Sequence, residues 1–112
     1  MQQPTISEYL KLLKRKFQLK IAAHVADVKQ AAFNKRYYVL PDDKHKLITL
    51  CRDDVKILKK YKMMKKSVDH MDLMRECFYV TKVSLNDNPT LSPSERKKKQ
   101  QEWIKYAKKH RV

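Results

Sequence analysis

Eight cations crowd the end of the chain: Arg96, Lys97, Lys98, Lys99, Lys105, Lys108, Lys109 and Arg111, with Trp103 between the two runs. Lysine and arginine neutralise phosphates and release their counterions, which drives binding without regard to base sequence. An indole between such runs offers a stacking surface for a base, or an anchor for a partner's groove. Lys56, Lys59 and Lys60 form a second, shorter cluster. These twelve side chains are the candidate contacts with nucleic acid or another anionic partner.

Other chemistry is poorly represented. Pro41-Asp42, followed later by Asp54-x-Lys56, has the residue types of the PD-(D/E)xK metal-dependent nucleases. There two carboxylates hold a divalent ion and a lysine steadies the attacking water. Here Asp42 reads as a turn residue and residues 54–56 as the start of a helix, so the set does not read as catalytic. His24, His45, His70 and His110 share no ligand spacing with Cys51 or Cys77, so neither a zinc site nor any other cofactor is expected. The two cysteines sit among apolar neighbours and read as buried, reduced thiols. Glycine is absent from all 112 residues, which removes the usual phosphate loops and dinucleotide fingerprints.

Composition sets the frame for these groups. The chain is long enough for one domain, and 42% of its residues are apolar. Its formal charge is +15, and residues 92–112 alone hold eight cations against two carboxylates. Such a balance favours nucleic acid, an acidic protein or another anionic surface as partner. The start, MQQPTISEYL, has no apolar core of a secretory signal, and lysines interrupt every apolar run. A cytoplasmic location without membrane contact is therefore expected.

The elements that must position the cations begin with a helix. Thr5-x-x-Glu8 is a capping box, and Ile6, Tyr9, Leu10, Leu13 and Phe17 recur at helical spacing, with a basic outer face. Alternation over residues 17–26 predicts a strand next; one long helix over residues 5–33 is the alternative. Residues 37–40 and 47–50 predict a hairpin around a turn opened by Pro41, on which Tyr37 and Val39 face one way and Tyr38 and Leu40 the other. Without glycine, that turn must be longer than two residues. A lysine-rich helix starting at Asp53 and Asp54 follows, then a short helix over residues 67–75 capped by Ser67, then a strand over residues 77–83. Met63, Met64, Met71 and Met74 read as core filling. Ser92-Pro93-Ser94-Glu95 opens the final helix.

These readings give one α+β fold: a small antiparallel sheet with packed helices and a basic C-terminal helix. Residues 1–83 form the compact core, residues 84–91 a hinge-like linker around Asn88-Pro89, and residues 92–112 the basic helix. RYYVLP at 36–41, the lysine-rich helix and RECFY at 75–79 together resemble small uncharacterised proteins of tailed phages infecting gut Bacteroidetes, although Val80 and Thr81 depart from that pattern. The resemblance implies a phage-encoded protein, an auxiliary part of the virion, and no activity. The expectation is a non-enzymatic basic protein that contacts nucleic acid through its helices. The alternative is a structural or auxiliary virion protein that joins a larger particle by binding an acidic protein partner.

Overall fold

The computed structural model of the chain describes residues 5–83 and 90–111. Its elements run α1 (Ile6–Phe33), β1 (Tyr37–Pro41), β2 (Leu47–Cys51), α2 (Arg52–Lys60), α3 (His70–Glu76), β3 (Tyr79–Val80) and α4 (Pro93–Lys109). The fold is α+β, and its antiparallel sheet has the order β2-β1-β3. β1 is central. Val39 pairs with Thr49 on one side and with Tyr79 on the other.

Both faces of β1 are covered, so its side chains divide between two cores. Tyr37 and Val39 pack with Leu19 and Ala26 of α1, Phe78, and Trp103 and Ala107 of α4. Tyr38 and Leu40 pack on the opposite face with Val55, Leu73, Cys77, Val80 and Leu91. The expected facing of the four residues is thus seen. Met64 and Met74 pack against this second core, whereas Met63 and Met71 stay exposed. Cys51 and Cys77 are free and buried, and lie in different cores.

The turn spans five residues, 42–46. Asp42 accepts from the Lys44 and Lys46 amides at 2.8 and 2.9 Å, and His45 takes φ 63° where glycine is the usual choice. Asn34 ends α1 in the same left-handed region, at φ 53°.

Residues 17–26 are not a strand. They lie inside the 28-residue helix α1. The alternating pattern and the helical pattern coincide here because Ala22, Ala23 and Ala26 suit both. Helix wins because Leu19, Ala23, Ala26 and Gln30 form one buried row. Ala26 has no exposed surface, and a methyl at that position lets the helix lie close on the sheet. The same choice turns Ile6, Leu10, Leu13 and Phe17 outward rather than inward.

Three further boundaries differ from expectation. α3 starts at His70, because the Asp69 carboxylate and not Ser67 accepts the Asp72 amide, at 2.9 Å. β3 is two residues long. Beyond Val80, the Thr81 hydroxyl takes the Tyr37 amide at 2.9 Å and the ladder stops. Residues 84–89 of the expected linker lie outside the described residues. At its far end Leu91 is buried, and the Thr90 hydroxyl donates to the Thr81 carbonyl at 2.9 Å. The expected capping boxes of α1 and α4 are both present.

Trp103 closes the first core at 1% exposure. Its indole N–H donates to the Arg15 carbonyl of α1 at 2.9 Å, and its ring lies 5.3 Å from that of Phe78. Replacing a buried indole leaves both a cavity and an orphaned carbonyl. Trp103→Ala is expected to cost about 3–5 kcal/mol in urea unfolding and Trp103→Phe clearly less.

Candidate nucleic-acid interface

The carboxylates decide where positive charge survives. Glu8, Asp54, Asp72 and Glu95 each accept a backbone amide at a helix start, and Asp69 caps α3. Asp42 is committed to the hairpin turn and Asp27 accepts the Tyr79 hydroxyl at 2.7 Å. Asp53 pairs with Lys35, which holds its carboxyl below the usual carboxylate range. The Ser92 hydroxyl and amide do the same for Glu95. Tyr79, desolvated and facing Asp27, is pushed up to about 12 and stays a neutral donor. Of twelve acidic residues, eight thus serve backbone, tyrosine or Lys35, while most of the 27 cations have no such duty.

The twelve expected contacts are dispersed. Arg96 and Lys97 face Lys16 and Lys20 of α1 across a groove of about 650 Å³, with the Arg96 guanidinium 5.2 Å above the Tyr79 ring. Lys56 and Lys59 line a groove of about 730 Å³ with Arg36, Arg52 and Lys66. Arg111 lies in a third, of about 880 Å³, between α1 and the hairpin. Lys60, Lys98, Lys105, Lys108 and Lys109 are exposed on their helices.

Two expected contacts need correction, and a third is partly engaged. Trp103 cannot stack on a base, because it is sealed between α1, β1 and α4. Lys99 points into the fold, where its ammonium donates to the Met74 and Cys77 carbonyls at 3.0 and 2.8 Å. A cation satisfying the last carbonyls of α3 also suits that helix's dipole. Lys59 donates to the Val68 carbonyl and so ties α2 to the segment before α3.

The groove between α1 and the hairpin gathers five cations. Lys14 and Lys29 come from α1, Lys44 and Lys46 from the hairpin, and Arg111 from just past α4; among the described residues no carboxylate lines it. Lys29 is held in place by the Thr49 hydroxyl at 2.9 Å and lies 5.9 Å from the Tyr37 ring centre. Ile21, Val25, Leu47 and Ile48 give it apolar walls. The end of α4 is fixed to the turn by aromatic contacts. His110 stacks on His45 at 4.0 Å, and His45 Nδ1 is 2.6 Å from the Tyr106 hydroxyl. That contact brings exposed Arg111 into the same groove as Lys44 and Lys46, and Lys108 and Lys109 are exposed just before it at the end of α4. Four of the five lining cations escaped sequence reasoning because they form no run. A helical reading of residues 5–33 puts Lys14 and Lys29 about four turns apart on one side, and was the signal available.

Asp42 and Asp54 lie beyond opposite ends of a five-residue strand pair, roughly 15 Å apart at the strand rise. The nuclease-like set is therefore not assembled. Among the described residues no cluster of three or more His, Cys, Asp or Glu could hold a metal ion, and no helix is long and apolar enough to cross a membrane. Comparison with protein-family models, curated proteins and solved structures finds no match to this chain.

Two outcomes follow from this geometry. Lys99→Met is expected to cost about 1–3 kcal/mol in urea unfolding, through the two carbonyls it abandons, and to leave any affinity for nucleic acid unchanged. Partial burial, His45 and Lys109 hold His110 below its ordinary value of 6.5. The neutral ring is thus favoured in the fold, so stability is full above 6.5 and falls as pH drops through 6.5 towards the depressed folded value. His110→Gln should flatten that part of a plot of unfolding midpoint against pH.

Proposed function

We propose that this protein is a small, non-enzymatic module that binds nucleic acid through its phosphates, with the groove between α1 and the hairpin as the principal contact. The observation that carries the reading is the pairing pattern: carboxylates are committed to caps, turn and tyrosine, and the cations lining this groove have no carboxylate partner among the described residues. Lys14, Lys29, Lys44, Lys46 and Arg111 supply point charges and one forked guanidinium at the groove, and Lys108 and Lys109 extend the positive field along the end of α4. Four of the five cations lining the groove are lysines, which act as point charges on phosphates, so binding is expected to follow charge rather than sequence.

The partner's anionic backbone would displace counterions as it docks. Affinity should therefore fall steeply with salt, with a log–log slope of about −0.9 for each duplex phosphate neutralised. Fluorescence anisotropy with a labelled duplex of mixed sequence, over a series of salt concentrations, reads both affinity and slope. The triple variant Lys44→Gln, Lys46→Gln, Arg111→Gln should weaken binding equally for unrelated sequences and reduce the slope by roughly two to three. Affinity indifferent to salt, or a triple variant that binds like the parent, sinks the reading. If nucleic acid fails to bind at all and an acidic protein binds instead, the same cations serve a protein partner.

A further inference from the structure

α1 carries a second apolar row that the fold leaves uncovered. Ile6, Leu10, Leu13, Phe17, Ile21 and Val28 lie about half a turn from the buried row of Leu19, Ala23 and Ala26. Val25 lies at the edge of the same stripe. Exposure along it runs from 39% at Val25 to 82% at Ile6, with Phe17 at 62%. Residues 5–11 are exposed on every side of the helix, so its first turns project past the globule. Isolated exposed leucines are ordinary; an apolar row over six turns, broken by His24, is not.

The spacing of the row names its occupant. Measured from Phe17, the apolar positions fall at −11, −7, −4, +4, +8 and +11. The row reads nearly the same in both directions. A helix with this symmetry is largely complementary to itself when the second copy runs antiparallel: Phe17 meets Phe17, Leu13 meets Ile21, Ile6 meets Val28, and Leu10 meets His24. Charge favours the same direction. On either side of Phe17, residues 6–16 hold four cations and one carboxylate, whereas residues 18–28 hold one of each. Antiparallel packing places each basic half against a neutral half; parallel packing would oppose the two basic halves. All seven apolar side chains of the stripe are at least 39% exposed, so a second copy has a long apolar strip to cover.

We infer that two copies of this chain pair along α1 as an antiparallel helix pair about a two-fold axis at Phe17. The stripe runs along the ridge between the two grooves that flank α1. Pairing on that ridge sets the α1–hairpin groove of one copy and that of the other on the same side of the dimer. The inference stands on the apolar row, which shares Ile21 and Val25 with the wall of the α1–hairpin groove.

Sedimentation equilibrium of the full chain tests it. The parent should approach twice its monomer mass as concentration rises, and more completely at higher salt, where Lys16 and Lys20 beside the stripe are screened. Phe17→Lys should remain monomeric with unchanged helical circular dichroism and thermal midpoint, because that ring contributes little to its own core. Under mild oxidation Phe17→Cys should form an interchain disulfide and Leu10→Cys should not, since only the former lies on the axis. A parent that stays monomeric at every concentration overturns the inference. So do a Phe17→Lys variant that still pairs, association weakened by salt, preferential cross-linking of Leu10→Cys, or a monomer whose stripe binds anionic vesicles. Because nucleic-acid binding weakens with salt and this contact strengthens, failure of one reading is distinguishable from failure of the other.

Discussion

Everything in this molecule is arranged around a strand that has no outside. Four consecutive residues of β1, Tyr37 to Leu40, are buried, two on each face of the sheet. A three-stranded sheet cannot achieve that alone, so helices must cover both faces. α1 and α4 cover one, and α2 and α3 the other. The requirement explains why a short chain with no glycine and a large positive charge still closes two cores. It also explains why α1 is long: one straight helix with alanines at its contact spans both β1 and α4.

The second constraint is electrostatic. Of twelve carboxylates, eight serve four helix starts, a turn, a half-buried tyrosine and Lys35. Those local tasks come first, because an uncapped helix start or an open turn costs stability directly. Charge left over is therefore positive almost by construction, and it collects where helices and hairpin meet at their edges. The three basic grooves follow from the packing of the elements rather than from any one lysine run.

Local chemistry was legible in the sequence, and long-range packing was not. The Thr5–Glu8 and Ser92–Glu95 boxes, the hairpin, the facing of Tyr37 to Leu40 and the lengthened turn all depend on neighbours within a few residues. Residues 17–26 misled because their alanines satisfy two periods at once, and only the contact with β1 and α4 chooses between them. Trp103 misled for the opposite reason. Bracketed by cations it looks like a docking group, yet its own chain supplies a pocket and a carbonyl for it. The candidate groove was hidden because its cations come from α1, the hairpin and the end of α4, which the sequence separates and the fold reunites.

The indole of Trp103 meets the Arg15 carbonyl across 88 positions of chain. α4 is thus made long after α1, the helix it seals. While the ribosome is still adding the middle of the chain, the Leu19–Ala26 side of α1 has no lid, and the hairpin has only one of its two covers. Nascent chains in this condition depend on late, distant contacts, which form slowly and leave apolar surface open to bystanders.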